Sequence, residues 1–299
     1  MKRNPKLFVP AITPFAADLS IDEARFLANA RTLLDQSADG LAPFGTTSEA
    51  ASLGLDERKR LLAVLIEGGI DPSRLMPGTG AAALPEAIAL TRDAVANKCL
   101  GTLTLPPFYY KGVTEDGVYA YYAQIVEAVG SSDLKIYLYH IPQMSGVAIT
   151  LSLIERLLKT YPGVFVGLKD SSGDWDNTHA IIKAFPELDV YSASESLIGK
   201  NVAAGGAGCI SASANVNTMA IAALIKALGT EREAGIAERV AEVRKRFESL
   251  PLIPAVKAVT AILRGDPAYE IVRPPFAPVP DSLRGAINDV ARLCAPTQV

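Results

Sequence analysis

Lys169 closes the run Val164-Phe165-Val166-Gly167-Leu168-Lys169 and is followed at once by Asp170-Ser171-Ser172-Gly173. A primary amine at the end of an apolar, strand-like segment is a candidate nucleophile. Burial disfavours the ammonium form, and the neutral amine attacks a ketone carbonyl near neutral pH. Imine chemistry then needs a group that moves protons through the carbinolamine and an anchor for the carboxylate of a 2-keto acid. Tyr139, in Tyr137-Leu138-Tyr139-His140, offers the first, and the amides and hydroxyls of Thr46 and Thr47, in Gly45-Thr46-Thr47-Ser48-Glu49, offer the second at a strand-to-helix turn. Plainer readings stand beside these. Most lysines after a strand are merely solvated, Tyr139 suits a core tyrosine bonded to backbone, and residues 45–49 suit a turn with helix capping.

The elements that must position these groups are legible as a pattern. Short apolar runs alternate with longer amphipathic stretches, the signature of repeated βα units and a parallel sheet. Eight strand candidates can be counted, at 7–12, 40–44, 75–78, 101–105, 135–140, 164–169, 189–192 and 208–211. Acid or proline falls where helices should start, as in Asp22-Glu23, Asp56-Glu57, Pro85-Glu86 and Glu115-Asp116. Eight parallel strands imply a closed (β/α)8 barrel of the TIM type, spanning residues 1–225. Three further helical stretches at 230–248, 252–263 and 282–292 form a C-terminal extension within 226–299, packed on the barrel as one unit.

An open doubly wound sheet is the alternative, but the first strand is followed by Thr13-Pro14-Phe15 instead of a glycine-rich phosphate loop. In a barrel the site lies at the carboxyl ends of the strands, where Lys169, Tyr139, residues 45–49 and Tyr109-Tyr110 all fall. Strand alternation puts Phe165, Gly167 and Lys169 on one face and Tyr137 and Tyr139 on another, both inward if the aliphatic faces meet the helices. Gly167, beneath the lysine, is expected to leave room for substrate.

Composition narrows the classes. The chain has 299 residues, 49% hydrophobic and 20% charged, with a formal charge of -3, so no basic field awaits a phosphate backbone and nucleic acid is not an expected partner. Cys99, Cys209 and Cys294 are widely separated and fit neither a zinc site nor a disulfide framework. His140 and His179 lack carboxylate spacing and read as structural, so no metal and no cofactor are expected. The basic start Met1-Lys2-Arg3 lacks a long apolar continuation, and no run reaches membrane-spanning length. A soluble, cytoplasmic protein is the expectation.

The motifs together resemble the pyruvate-dependent class I lyases that include dihydrodipicolinate synthase, N-acetylneuraminate lyase and 2-keto-3-deoxygluconate aldolase. The resemblance spans nearly the whole chain. It rests on Gly45-Thr46-Thr47-Ser48-Glu49, Pro107-Phe108-Tyr109-Tyr110, Tyr139-His140-Ile141-Pro142 with Gly146, and Gly167-Leu168-Lys169-Asp170, with lesser matches at Gly78-Thr79-Gly80 and Arg273-Pro274-Pro275. It implies a catalytic set of Lys169, Tyr139, Tyr109 and Thr47. Lys169 forms the imine, Tyr139 is the general acid/base, and the Thr47 hydroxyl links Tyr139 to Tyr109. The implied substrate-binding set is Thr46, Thr47, Ser194, Glu195, Ile210 and Met144, with Thr46 and Thr47 on the pyruvate carboxylate. The resemblance also implies a homodimer or homotetramer in which a neighbouring subunit lends the tyrosine matching Tyr109.

Departures bear on the substrate. Dihydrodipicolinate synthases carry an arginine two residues after the proline of the Tyr139 segment, where it holds the aldehyde's carboxylate; here the position is Met144, and a thioether cannot replace that contact. Ala193 stands where glycine is common, although Ser194 and Glu195 retain polyol-binding chemistry. Gly80-Ala81-Ala82-Ala83 leaves the third loop apolar. Reversible aldol cleavage or condensation of a pyruvate-derived 2-keto acid is the leading expectation. A 2-keto-3-deoxy sugar acid dehydratase and a diverged 4-hydroxy-tetrahydrodipicolinate synthase follow, and a non-catalytic keto-acid sensor is the rival of another class. Glu49 is expected to cap its helix, and Trp175 to sit at a helix start.

Overall fold

The computed structural model describes residues 4–295; Met1-Lys2-Arg3 and residues 296–299 lie outside the described residues. Seven parallel strands form the sheet: β1 Lys6–Val9, β2 Gly40–Leu41, β3 Thr102–Thr104, β4 Ile136–His140, β5 Phe165–Asp170, β6 Asp189–Ser192 and β7 Gly208–Ile210. Their order is β2-β1-β7-β6-β5-β4-β3. The gap between β2 and β3 is bridged by residues 75–78. Met76 N–H donates to Leu41 O at 2.8 Å and Gly78 N–H to Pro43 O at 2.7 Å, while Leu103 N–H donates to Pro77 O at 2.9 Å.

The barrel therefore closes with eight staves, of which the third is an extended rung joined by single bridges to Leu41 and Leu103. Pro77 explains its poverty, because a proline contributes an acceptor but no N–H. Gly78 is required there by close approach: an added Cβ would meet Phe44 O at 2.1 Å. Other strands stop short of the sequence reading for similar reasons. Pro10 ends β1, and Pro43 with the left-handed Phe44 (φ 62°) ends β2.

Helices wrap the strands because their apolar faces repeat at helical spacing. Glu23–Asp35, Leu55–Glu67 and Ala214–Ala227 pack on β1, β2 and β7 around Leu7, Val9, Leu41, Leu61 and Ile221. Glu115–Val129, Leu151–Thr160 and Trp175–Ala184 cover β4 to β6 around Tyr122, Ile136, Leu138, Leu168 and Val190. The barrel interior is a separate cluster with Phe8, Ala42, Met76, Leu103, Tyr137, Tyr139, Tyr191 and Ile210.

Beyond β7, helices Glu233–Phe247, Leu252–Arg264 and Arg284–Cys294 form a third layer. Its core of Val243, Phe247, Val256, Val259 and Ile287 includes Ile12 and Val216 from the barrel side. No helix among the described residues is long and apolar enough to cross a membrane.

Candidate active site

Strand register brings the amine and the phenol together. Tyr139 on β4 is the pairing partner of Lys169 on β5, so both side chains leave neighbouring strands at the same height and on the same face. Lys169 Nζ donates to Tyr139 Oη at 3.2 Å and lies 4.3 Å from the centre of its ring. Both residues are buried, at 4% and 3% exposure. Burial acts to raise the Tyr139 pKa, but the adjacent Lys169 charge and hydrogen bonds with Thr46, Lys169 and Ser171 outweigh it and hold the phenol below its ordinary value. An acidified phenol against an amine is suited to carrying a proton in either direction.

The hydroxyl that reaches Tyr139 belongs to Thr46, at 3.2 Å. Thr47, to which the resemblance assigns the link between Tyr139 and Tyr109, is buried, and within this chain its hydroxyl bonds neither tyrosine. The turn itself is pinned, with Ser48 Oγ donating to Ala11 O at 2.6 Å and Thr13 Oγ1 to Ser48 O at 2.8 Å. The N–H groups of Thr46 and Thr47 have no acceptor among the described residues, which leaves two donors in a fixed concavity beside the pair.

Glu49 does not cap a helix as expected. It takes a left-handed backbone (φ 57°), and its carboxylate turns inward to accept from Lys257 Nζ at 2.5 Å and from Arg273 N–H at 3.2 Å. Lys257 is fully buried and lies 4.3 Å from the Phe15 ring centre. Burial, opposed by Glu49, pulls its ammonium below the ordinary lysine value. Arg273, bonded to both carboxylate oxygens of Glu57, closes the cluster. Sequence reasoning missed Lys257, although a lone charge inside Leu252-Ile253-Pro254-Ala255-Val256-Lys257-Ala258-Val259 signals a buried partner. It also missed Ser171.

Tyr109 and Tyr110 are 74% and 73% exposed and stack edge-on with each other, far from joining Tyr139 within this chain. Their loop is held by Lys111, whose Nζ donates to Ser145 O at 2.8 Å and also to Phe108 O. Glu195 is buried, with both carboxylate oxygens accepting from serines, Ser211 and Ser213, after β7. Ser194 is half-buried, its carbonyl accepting from Ser192 Oγ at 3.1 Å. Ile210 pairs with Phe8 in the barrel interior.

Gly167 leaves room for a ring instead of a ligand, since a Cβ there would meet Tyr137 Cδ1 at 2.4 Å. His140 faces away from Tyr139, with Nδ1 accepting from Ile149 N–H at 3.1 Å, and burial lowers its pKa against the opposing influence of Asp170. His179 stacks on Trp175 with ring centres 5.7 Å apart.

A cleft of about 320 Å³ opens from Thr46 toward the rim. Its apolar wall is built from Ala81, Ala82, Leu105, Phe108, Ile141 and Met144, the last 59% exposed.

A buried amine and phenol in register at the mouth of a closed parallel barrel define an enzyme-like α/β barrel with the parts that imine chemistry needs. The profile of the Dihydrodipicolinate synthetase family matches residues 4–292. The chain belongs to that family and is a lyase of its type. It is 35% identical over 249 residues to an uncharacterized DapA-like lyase of Chloroflexus aurantiacus, covering 83% of each protein. Its fold is similar to the crystal structure of dihydrodipicolinate synthase from Agrobacterium tumefaciens, with a TM-score of 0.87 at 28% identity, covering 96% of this chain and 97% of that one. The E. coli prophage protein YagE, solved in complex with pyruvate, shares the fold with a TM-score of 0.87 at 24% identity and 97% coverage of both chains.

Proposed function

We propose that the protein is a class I lyase in which Lys169 forms an imine with pyruvate or a pyruvate-derived 2-keto acid. The observation that carries this reading is the 3.2 Å contact between Lys169 Nζ and Tyr139 Oη inside the barrel mouth. The amine nitrogen attacks the keto carbon, a proton passes to the carbonyl oxygen through Tyr139, and loss of water from the carbinolamine leaves the imine. The protonated imine is the electron sink. In the cleavage direction Tyr139 removes the proton of the hydroxyl beyond the breaking carbon–carbon bond, and the electrons of that bond enter the enamine. The unpartnered N–H groups of Thr46 and Thr47 receive the keto acid's carboxylate.

The rim favours an acceptor without a second carboxylate. Met144 occupies the place of a cationic side chain, and the wall beside it is aliphatic and aromatic. Arg58 also lines this cleft, but its terminal nitrogens donate to Gly78 O and Gly80 O, so a carboxylate beside Met144 would give up water without a cationic side chain at that position. This disfavours aspartate semialdehyde as the partner. The exposed Tyr109–Tyr110 pair supports a homo-oligomer in which this loop covers the neighbouring subunit's mouth, because two adjacent aromatic rings in water are an unusual surface for a monomer.

Borohydride reduction with pyruvate, followed by mass spectrometry of the peptide that contains Lys169, tests the reading. A pyruvate adduct in the wild type and none in Lys169→Ala is the expected result. Pyruvate binding without an adduct would establish a keto-acid sensor instead. Product analysis over aldehydes and 2-keto-3-deoxy acids then separates aldol cleavage, which releases pyruvate, from dehydration, which releases water and keeps the carbon chain whole.

A further inference from the structure

A second cavity, of about 430 Å³, lies outside the barrel wall. It opens where helix Ala214–Ala227 meets the C-terminal helices Glu233–Phe247, Leu252–Arg264 and Arg284–Cys294. Its walls carry three arginines, Arg232, Arg239 and Arg264, and no carboxylate among the described residues. None of the three forms an ion pair among the described residues. Other arginines without an ion pair, such as Arg31, Arg74 and Arg92, donate to backbone carbonyls, so what sets this cavity apart is that three guanidinium groups without acids share one wall.

The cavity also contains a donor with nothing to donate to. Asn217 is 7% exposed, lines the cavity, and its Nδ2 is buried without a hydrogen-bond partner. Its backbone leaves the helix at φ −129°, ψ 26°, so a polar side chain is placed at the kink in helix Ala214–Ala227. Arg264 Nε is likewise buried and unpartnered. Burial holds the Arg264 guanidinium below its ordinary pKa against the influence of Tyr269, a cost that a bound anion would relieve. Neighbouring hydroxyls add no free donor, because Thr260 Oγ1 already donates to Val256 O and Thr218 Oγ1 to Ala214 O. Val216, Met219, Ile236, Leu263 and Leu293 supply an apolar floor.

We propose that this cavity is a second ligand site, separate from the barrel mouth, that takes a small metabolite bearing an oxyanion on a short apolar body. Buried donors are normally satisfied, and three cations without counter-charges around an unsatisfied amide are matched by carboxylate or phosphate oxygens.

Titration calorimetry on the full chain with phenylphosphate, benzoate and benzyl alcohol tests the site. The first two share the oxyanion chemistry and distinguish phosphate from carboxylate, and the third keeps only the apolar body. Saturable binding of at least one anion is expected, unchanged in Lys169→Ala and weakened about tenfold or more in the paired variant Arg232→Gln/Arg239→Gln, whose side chains are exposed. Asn217→Leu adds a test of the buried donor. Four results would overturn the proposal: no saturation by about 10 mM, equal affinity for benzyl alcohol, binding indifferent to the arginine pair, or binding lost with Lys169. The Lys169→Ala arm keeps its failure distinct from failure of the imine reading.

Discussion

Removing the Tyr139 hydroxyl while keeping its ring separates proton transfer from packing. The ring fills the barrel interior beside Tyr137 and Ile210 and lies against Lys169, so Tyr139→Phe preserves the pocket's shape. Ligand binding should survive largely intact and turnover should fall by about 100-fold or more, the usual loss for a general acid/base; near-normal turnover in steady-state assays rejects the assigned role. Thr46→Val tests the same proton from the other side. The Thr46 hydroxyl is one of the groups that lower the Tyr139 pKa against the effect of burial. Removing it leaves the phenol more weakly acidic, so for imine formation, where Tyr139 gives up its proton, the alkaline limb of the pH–rate profile should move to higher pH than in the wild type. The same substitution at Thr47, whose hydroxyl has no hydrogen bond to Tyr139 within this chain, should leave that limb in place. If the two variants exchange these behaviours, the relay runs through Thr47 after all.

The Lys257–Glu49 pair extends the site to the elements behind it, because it ties helix Leu252–Arg264 to the turn that carries Thr46. Both side chains are fully buried. Removing one partner strands the other's charge, whereas removing both does not. Lys257→Met should therefore cost about 3–5 kcal/mol of stability, with much of it recovered in Lys257→Met/Glu49→Gln. Denaturant titration of the single and double variants measures this, and an additive loss would show that the two charges are not coupled. The contrast between this pair and the strands shows what a sequence displays. Strand β5 is readable because a short, unbroken apolar run between helical stretches fits a strand covered on both faces and little else. Residues 75–78 are readable as a stave for the same reason, but Pro77 makes them weaker than their pattern suggests. The Lys169–Tyr139 contact follows from alternation and relative strand ends. The apolar run around Lys257 signals that the amine is buried with a partner, but that the partner is Glu49, 208 positions away, has no local signature, and neither does the serine bracing of Glu195. Gly167 shows the converse error: a missing side chain marks space, but the sequence does not say that Tyr137 fills it.

At the scale of the whole molecule, the proposed pairing of two chains turns on Tyr109. Within one chain this tyrosine stands in solvent, on a loop that Lys111 fixes in place. A fixed, exposed aromatic loop can serve a neighbour without reorganising, and in a twofold dimer each chain would then lend its tyrosine to the other's lysine. The consequence can be checked by complementation. Lys169→Ala lacks the nucleophile and Tyr109→Phe lacks the lent hydroxyl, so each alone should be weakly active or inactive. Mixing equal amounts and allowing subunits to exchange produces hybrid dimers. In these, the Lys169→Ala chain supplies an intact Tyr109 to a partner whose Lys169 is intact, while the other mouth lacks both. Random pairing makes about half of the dimers hybrids with one complete mouth each, so activity should return to about one quarter of the wild-type level. A tyrosine that served its own chain would give no recovery, because no chain in the mixture carries both residues. Sedimentation of the same mixture guards against a trivial negative: recovery must be sought under conditions where dimers are present and exchange is demonstrated by a mass-tagged subunit. No return of activity in exchanged dimers would mean that Tyr109 serves its own chain, whereas full activity of Tyr109→Phe alone would place this tyrosine outside the catalytic relay and leave its exposure to a role in association.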